Sequence, residues 1–299
     1  MPPPDADLHP VATGLAKKTV DKHQDDQPLK LFSGWFCPFV QRVWLALEEK
    51  GIPYQYIEGK PVTIHPYATT GNPPLTHCPV NPYHKGEDLL RSNPRGLVPT
   101  LEVAPGKSLY ESIVLLEYLE DAFPDHRPLR PADDYQRARA RIWSDFVTSR
   151  VIPAFHRLLQ FQPSRVEGGG GGGEDRLDAL RAEYRAKLLE FARDMDPAGP
   201  FFLGPELTTV DLVMVPWALR HWVFDRFKGG LRIPEPGAGG RDEEAWARWR
   251  TWLDAMQRKD SVRNTTSEEQ YYLPIYKRYA DDEAQSELAK ATREGRGVP

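Results

Sequence analysis

Apolar positions along the chain alternate between two periods before settling into one. A short run at Leu29–Ser33 predicts a strand, and from Val40 the spacing turns helical, with Val40, Val43, Trp44 and Leu47 at i, i+3, i+4 and i+7. Gln41, Arg42, Glu48 and Glu49 lie off that stripe, and Gly51 closes the helix. Ile52–Glu58 alternates and predicts a second strand after a βα crossover. Leu97–Val103 predicts a third, with Pro99 inside it, where proline demands an edge, a bulge or a special turn. Lys107–Tyr110 pairs with it through a hairpin at Pro105-Gly106, and Ser112–Phe123 is helical until Pro124 stops it. Beyond Pro131 every period is helical. Segments are expected over Asp133–Leu159, bent near Pro153, then Glu174–Met195, Thr208 to Phe227, Glu243–Lys259 and Glu268–Asp281.

With one or two helical turns at Lys85–Arg91, the order β-α-β-α-β-β-α followed by helices alone predicts an α/β domain and an all-α domain. The expected boundaries are a disordered tail over 1–27, the first domain over 28–124, the helical domain over 131–281 and a flexible tail over 282–299. Residues 59–84 hold six prolines and two glycines and interrupt the first domain as a long loop. Six consecutive glycines at Gly168–Gly173 form a second loop, without the Lys-Ser/Thr ending of a phosphate-binding one.

Composition narrows the function classes. With 299 residues, a formal charge of −4 and a pI near 6.1, nucleic acid is not the expected partner. No apolar run approaches the ~18 residues of a membrane span, and the N-terminus lacks the basic start and apolar core of a secretory leader. Two cysteines, Cys37 and Cys78, make no disulfide framework, so a cytoplasmic, reducing setting is expected. His65, His77, Cys78 and His84 are zinc-type ligands whose spacing fits no compact metal motif, and no metal is expected.

Chemistry concentrates at Cys37. Pro38 suits the first helical position, which puts Cys37 at the N-cap, facing unpaired amides and the positive end of the dipole. That setting favours a thiolate titrating near neutrality, about one unit below the ~8.5 of an ordinary thiol. A small buried cysteine at a strand–helix junction is the competing reading. Thr208 and Asp211 stand as N-cap and N3 of a later helix, with Leu207 and Leu212 as its staple, and are read as structural.

The resemblance that follows is carried by Cys37-Pro38-Phe39-Val40-Gln41-Arg42, by Asn93-Pro94-Arg95-Gly96-Leu97-Val98-Pro99-Thr100, and by Tyr110-Glu111-Ser112 with Phe123-Pro124. Over about 29–279 the chain resembles the glutathione transferase superfamily. Within it the chain resembles the omega class, in which cysteine replaces the usual tyrosine or serine. The resemblance implies a thioredoxin-like, glutathione-binding first domain with a mixed four-stranded sheet. It implies a mixed disulfide between Cys37 and glutathione, with Phe39 beside the site and Val98, ahead of a cis Pro99, offering its backbone to the cysteinyl part. Glu111 and Ser112 take the γ-glutamyl end, and Lys85 the glycyl carboxylate. Trp217 and Trp222 are candidates for a second-substrate pocket, with core packing the alternative for each.

The expected activity is glutathione-dependent thiol transfer and reduction, including deglutathionylation and dehydroascorbate reduction, with glutathione as substrate, no metal, and a homodimer. Glutathionyl-hydroquinone reduction and non-enzymatic ligand binding are the alternatives.

Overall fold

The computed structural model describes residues 8–58, 87–165 and 172–299. It divides into two compact units, Met1–His126 with Arg263–Tyr272, and Arg127–Val262 with Leu273–Pro299.

The first unit is a thioredoxin-like domain. Its strands β1 (Lys30–Phe32), β2 (Gln55–Ile57), β3 (Thr100–Ala104) and β4 (Lys107–Tyr110) form one sheet in the order β2-β1-β3-β4. β1 runs parallel to β2 and antiparallel to β3, and β3 pairs with β4 as a hairpin. The crossover between β1 and β2 is α2 (Pro38–Lys50); α3 (Glu87–Ser92) precedes β3, and α4 (Ser112–Ala122) follows β4. Leu31, Val43, Trp44, Leu47, Leu101, Leu115 and Leu119 are fully buried and make its core. Gly51 ends α2 at φ +64, the left-handed conformation that only glycine adopts without strain, and its amide bonds Leu47 O. A buried ion pair, Lys50 Nζ to Glu120 Oε1 at 2.9 Å, joins α2 to α4.

Several expectations need correction. Residues 8–27 are no loose tail: they carry α1 (Gly14–Lys22), which buries Ala16, Thr19 and Val20. Ala12, Ala16 and Val20 repeat every four residues, but alanine contributes too little apolar area for the stripe to stand out in sequence. Thr13 N donates to Ser267 Oγ at 3.0 Å, and Glu268 N to Thr13 Oγ1 at 3.2 Å, so a late segment of the chain anchors this early one. β3 starts at Thr100, after Pro99, so the proline lies before the ladder and costs it nothing. The stretch 282–299 includes α13 (Glu287–Arg293), capped by the Ser286 hydroxyl accepting from Ala289 N. The 59–84 loop lies outside the described residues.

The second unit is helical. It contains α5 (Asp134–Phe146), α6 (Ile152–Gln160), α7 (Gly172–Arg193), α8 (Thr209–Ala218), α9 (Trp222–Phe227) and α10 (Glu243–Arg258); α11 (Asp260–Asn264) and α12 (Glu269–Ala280) complete the order. The bend expected near Pro153 is a π-helical segment, Val147–Val151, between α5 and α6. The single helix expected from Thr208 to Phe227 is two. After Ala218 the amides of Arg220 and His221 turn back to the third carbonyl before them, which breaks the helix.

Asp211 organises this unit. Its carboxylate is fully buried and accepts from Phe202 N (2.8 Å), Thr208 N (2.8 Å), Thr208 Oγ1 (3.0 Å) and Trp252 Nε1 (2.8 Å). The capping box read from sequence is present, and Asp211 in addition ties the preceding turn and α10 to the start of α8. Lys228 closes two helix ends, donating to Phe161 O (2.7 Å) after α6 and to Ala280 O (2.9 Å) at the end of α12. Asp211→Ala leaves four donors without their buried acceptor, each unsatisfied one costing about 1–3 kcal/mol. We expect a loss of at least ~3 kcal/mol in urea unfolding followed by tryptophan fluorescence; a loss below ~1 kcal/mol would show that the network is dispensable.

Candidate functional site

The turn after β1 sets the position of Cys37. Cys37 N donates to Gly34 O at 2.9 Å, and Cys37 is the N-cap of α2 with extended φ/ψ (−76°, 120°), Pro38 opening the helix as expected. The thiol is half-buried, and its Sγ lies 3.9 Å from Val98 O, the carbonyl the resemblance assigns to the cysteinyl backbone of glutathione. Sγ makes no side-chain cap bond to α2.

Trp35 holds the turn from three directions. Its amide donates to Glu58 Oε1 at 2.9 Å, its indole N–H to His9 O at 3.0 Å, and its ring meets Tyr272 edge-on at 4.9 Å. Glu58 Oε2 also accepts from Ala12 N at 3.0 Å, so one carboxyl joins the N-terminal arm to the Cys37 turn. On α2, buried Gln41 donates to Thr265 O (3.2 Å) and Thr266 Oγ1 (3.0 Å). Gln41 therefore leaves the apolar stripe to fix the returning segment.

Opposite Cys37, the loop before β3 is stitched by its own side chains. Asn93 Nδ2 donates to Leu97 O and to Thr100 Oγ1, both at 3.1 Å, and Asn93 Oδ1 accepts from Arg95 N at 3.0 Å. Thr100 Oγ1 donates to Leu97 O at 2.8 Å, and Gly96 takes φ +60. This frame presents Val98, and the Val98–Pro99 bond is cis.

The third part is the start of α4. Glu111 sits at φ +74, an uncommon conformation for a side chain with a Cβ, and its carboxylate pairs with Arg95 at 2.8 Å. Ser112 follows at the first helical position, where free amides and the dipole favour an anion. Sequence reasoning missed Arg42. It is fully buried, its Nη1 donates to Ser112 Oγ at 3.2 Å, and its guanidinium lies 5.2 Å from the centre of the Phe39 ring. Burial lowers its pKa to about 9, against the electrostatic pull of Cys37, so it is charged at neutral pH. A charge off the apolar stripe reads as a solvated residue, and only a buried position reveals otherwise.

The first unit thus brings Cys37, Phe39, Val98, Pro99, Glu111 and Ser112 together as a set. Lys85, Cys78 and the loop histidines lie outside the described residues. In the second unit Trp217 is 1 % exposed and packs as core, offering a ligand almost no surface, whereas Trp222 is half-buried, its ring 5.8 Å from that of Tyr276. Among the described residues no group of three or more His, Cys, Asp or Glu could hold a metal ion.

A family model, Glutathione S-transferase, N-terminal domain, matches residues 36–122, the stretch from the Cys37 turn to the end of α4. The structure of glutathione transferase Omega 3C from Trametes versicolor is similar at 37 % identity and TM-score 0.71, over 92 % of this chain and 100 % of that one. The chain belongs to the glutathione S-transferase family. Glutathione S-transferase U8 of Arabidopsis thaliana is 34 % identical over 55 % of this transferase and 64 % of its own length. Glutathione S-transferase omega-1 of Sus scrofa is 31 % identical over 63 % and 65 %. The transferase thus spans somewhat less than two thirds of either curated relative. Rice GST1, solved in complex with glutathione, shares 27 % identity and TM-score 0.62, over 85 % of this chain and 100 % of that one.

Glu58 gives the site a pH dependence. Burial raises its pKa to about 7, against donation from the Ala12 and Trp35 amides. The folded state therefore holds the proton more tightly than the unfolded chain, and the associated stability is complete below about pH 4.5 and lost as pH rises through about 7. The melting temperature of the wild type should fall more steeply than that of Glu58→Gln between about pH 5 and pH 7.5. Parallel pH profiles for the two proteins would contradict this assignment.

Proposed function

We propose that this protein is an omega-like, cysteine-type glutathione transferase that carries out glutathione-dependent thiol transfer and reduction. The observation that carries the reading is the half-buried Cys37 thiol at the N-cap of α2, 3.9 Å from Val98 O. The Cys37 thiolate attacks the glutathionyl sulfur of a mixed disulfide, forms Cys37–S–SG and releases the partner thiolate. A second glutathione thiolate attacks that bond, regenerating Cys37 and leaving oxidised glutathione. One protein cysteine suffices, because glutathione is the resolving thiol. Deglutathionylation and dehydroascorbate reduction are the expected substrate chemistries.

Glutathione is held in parts. The Val98 backbone pairs with its cysteinyl unit, Glu111 receives the γ-glutamyl ammonium, and Ser112 with the α4 N-terminus receives the carboxylate. Phe39 packs beside the peptide, Lys85 takes the glycyl carboxylate and Trp222 meets the second substrate. The rice relative solved with glutathione supports the ligand. No helix among the described residues is long and apolar enough to cross a membrane, in keeping with a reducing, cytoplasmic setting.

The comparable likeness to the U8 relative favours a second reading, S-transfer of glutathione to an electrophile without a bond to Cys37. Intact mass after incubation with oxidised glutathione separates the two. Thiol transfer predicts a gain of one glutathionyl group on the wild type and none on Cys37→Ser, with Cys78→Ser behaving as wild type. Cys37→Ser should also lose thioltransferase turnover while its stability stays within about 1 kcal/mol, since the hydroxyl is close to isosteric but stays protonated. Turnover retained by Cys37→Ser would remove the mechanism.

The family's habit of pairing subunits, together with the exposed Tyr110 and Val114 in the first unit and Tyr135 and Ile142 in the second, supports a homodimer. Light scattering at micromolar concentration should give twice the 34.0 kDa chain mass; a clean monomer would refute it.

A further inference from the structure

We propose that Arg42 is a positioning residue that couples the reacting sulfur to the γ-glutamyl clamp: its buried guanidinium holds Ser112 as a donor toward a carboxylate while its charge supports the thiolate of Cys37. The inference rests on the thiol-transfer reading above and assigns a role to a residue that reading does not use.

The geometry is specific. Arg42 sits on α2, five residues after Cys37, with its side chain removed from water. Nη1 donates to Ser112 Oγ at 3.2 Å. A hydroxyl has one proton and two acceptor sites. Once an acceptor site is taken by a cation, the hydroxyl is polarised, and its own proton is left to donate outward from the start of α4. Ser112 is thereby set to bind an anion, the group expected at that helix N-terminus. Arg42 and Cys37 share one helix start, five residues apart, and the electrostatic attraction of Cys37 opposes the burial that lowers the Arg42 pKa. The Phe39 ring, 5.2 Å from the guanidinium, covers it from the side on which the resemblance places glutathione.

The other charged groups on neighbouring elements are engaged or exposed. On α4, Glu120 pairs with Lys50, and Glu117 and Asp121 face solvent. In the loop before β3, Arg95 pairs with Glu111. On α2, Glu48 bonds Tyr54 and Glu49 is half-buried, and in the segment held by Gln41, Arg263, Glu268 and Glu269 are exposed. Arg42 is the fully buried cation of this set.

The test uses the full chain in a Cys78→Ser background, with Arg42→Gln, Arg42→Lys, Ser112→Ala and the Arg42→Gln/Ser112→Ala double variant, each checked by circular dichroism. Two quantities are read: the pH midpoint of Cys37 alkylation by iodoacetamide, and the affinity for glutathione sulfonate by calorimetry. Arg42→Gln should raise the midpoint by about one unit, and Arg42→Lys should restore it by restoring charge. Arg42→Gln and Ser112→Ala should each weaken binding about tenfold, and the double variant should be no weaker than either alone. An unmoved midpoint in folded Arg42→Gln, or losses that add in the double variant, would overturn the coupling. Where Arg42→Gln does not fold, the same cycle is run with Arg42→Lys, whose loss of binding must vanish in Ser112→Ala. Neither readout requires turnover. Failure of the wild type to form the glutathione adduct refutes thiol transfer and leaves the Arg42 comparison to be decided separately.

Discussion

A charge taken wholly out of water is costly, and a protein that buries one must surround it with groups that answer it. The first unit does this with Arg42. The guanidinium is spent on the Ser112 hydroxyl, the Phe39 face and the field of Cys37, so three of the residues assigned to glutathione are arranged around one cation. Shifting α2 against α4 would strand that charge. The Lys50–Glu120 pair between the same two helices makes such a shift costlier still. Sliding α2 past α4 would therefore unpair buried charges.

The second unit meets a comparable constraint with the opposite sign. Asp211 is a buried carboxyl whose burial raises its pKa while four donors lower it. Those donors come from the turn before α8, from its N-cap and from α10, so a local capping box has been extended into a tertiary anchor. In each unit a buried charged group answered by partners on other elements gives a plain reason for the local packing order around it.

Much of this was legible in the sequence because the signals were periodic or covalent. The β-α-β-α-β-β-α order followed from apolar spacing, the α2 boundaries from Pro38 and Gly51, and the capping box from Thr208 and Asp211 at the right offset. What escaped had no such signal. α1 rests on an Ala-Ala-Val stripe and on hydrogen bonds to Ser267 and Glu268, partners some 250 residues away. The break between α8 and α9 depends on a local switch in amide partners, to which Pro216 alone does not point. Gln41 and Arg42 lie off the apolar stripe, which says nothing of where they point, yet both are buried: one binds the returning segment, the other Ser112. Polar residues that serve tertiary structure look, in one dimension, like polar residues that serve solvation.

The comparisons leave the omega-1 and U8 relatives similarly close, and the physical difference between the two chemistries comes down to one atom. The frame proposed to bind glutathione, namely the Val98 backbone, Glu111, Ser112 and the α4 N-terminus, is indifferent to what stands at the N-cap of α2. A hydroxyl there can only donate a hydrogen bond to glutathione's own thiolate, so the peptide sulfur is the nucleophile and conjugation follows. A sulfur there can form and break a bond with the same peptide sulfur, so the electron pair passes through the protein and reduction follows. With Cys37 half-buried beside Val98 O, the bound peptide's sulfur would meet a thiol and not a hydroxyl. The two classes of reaction part at the chemistry of Sγ, where overall similarity does not separate them.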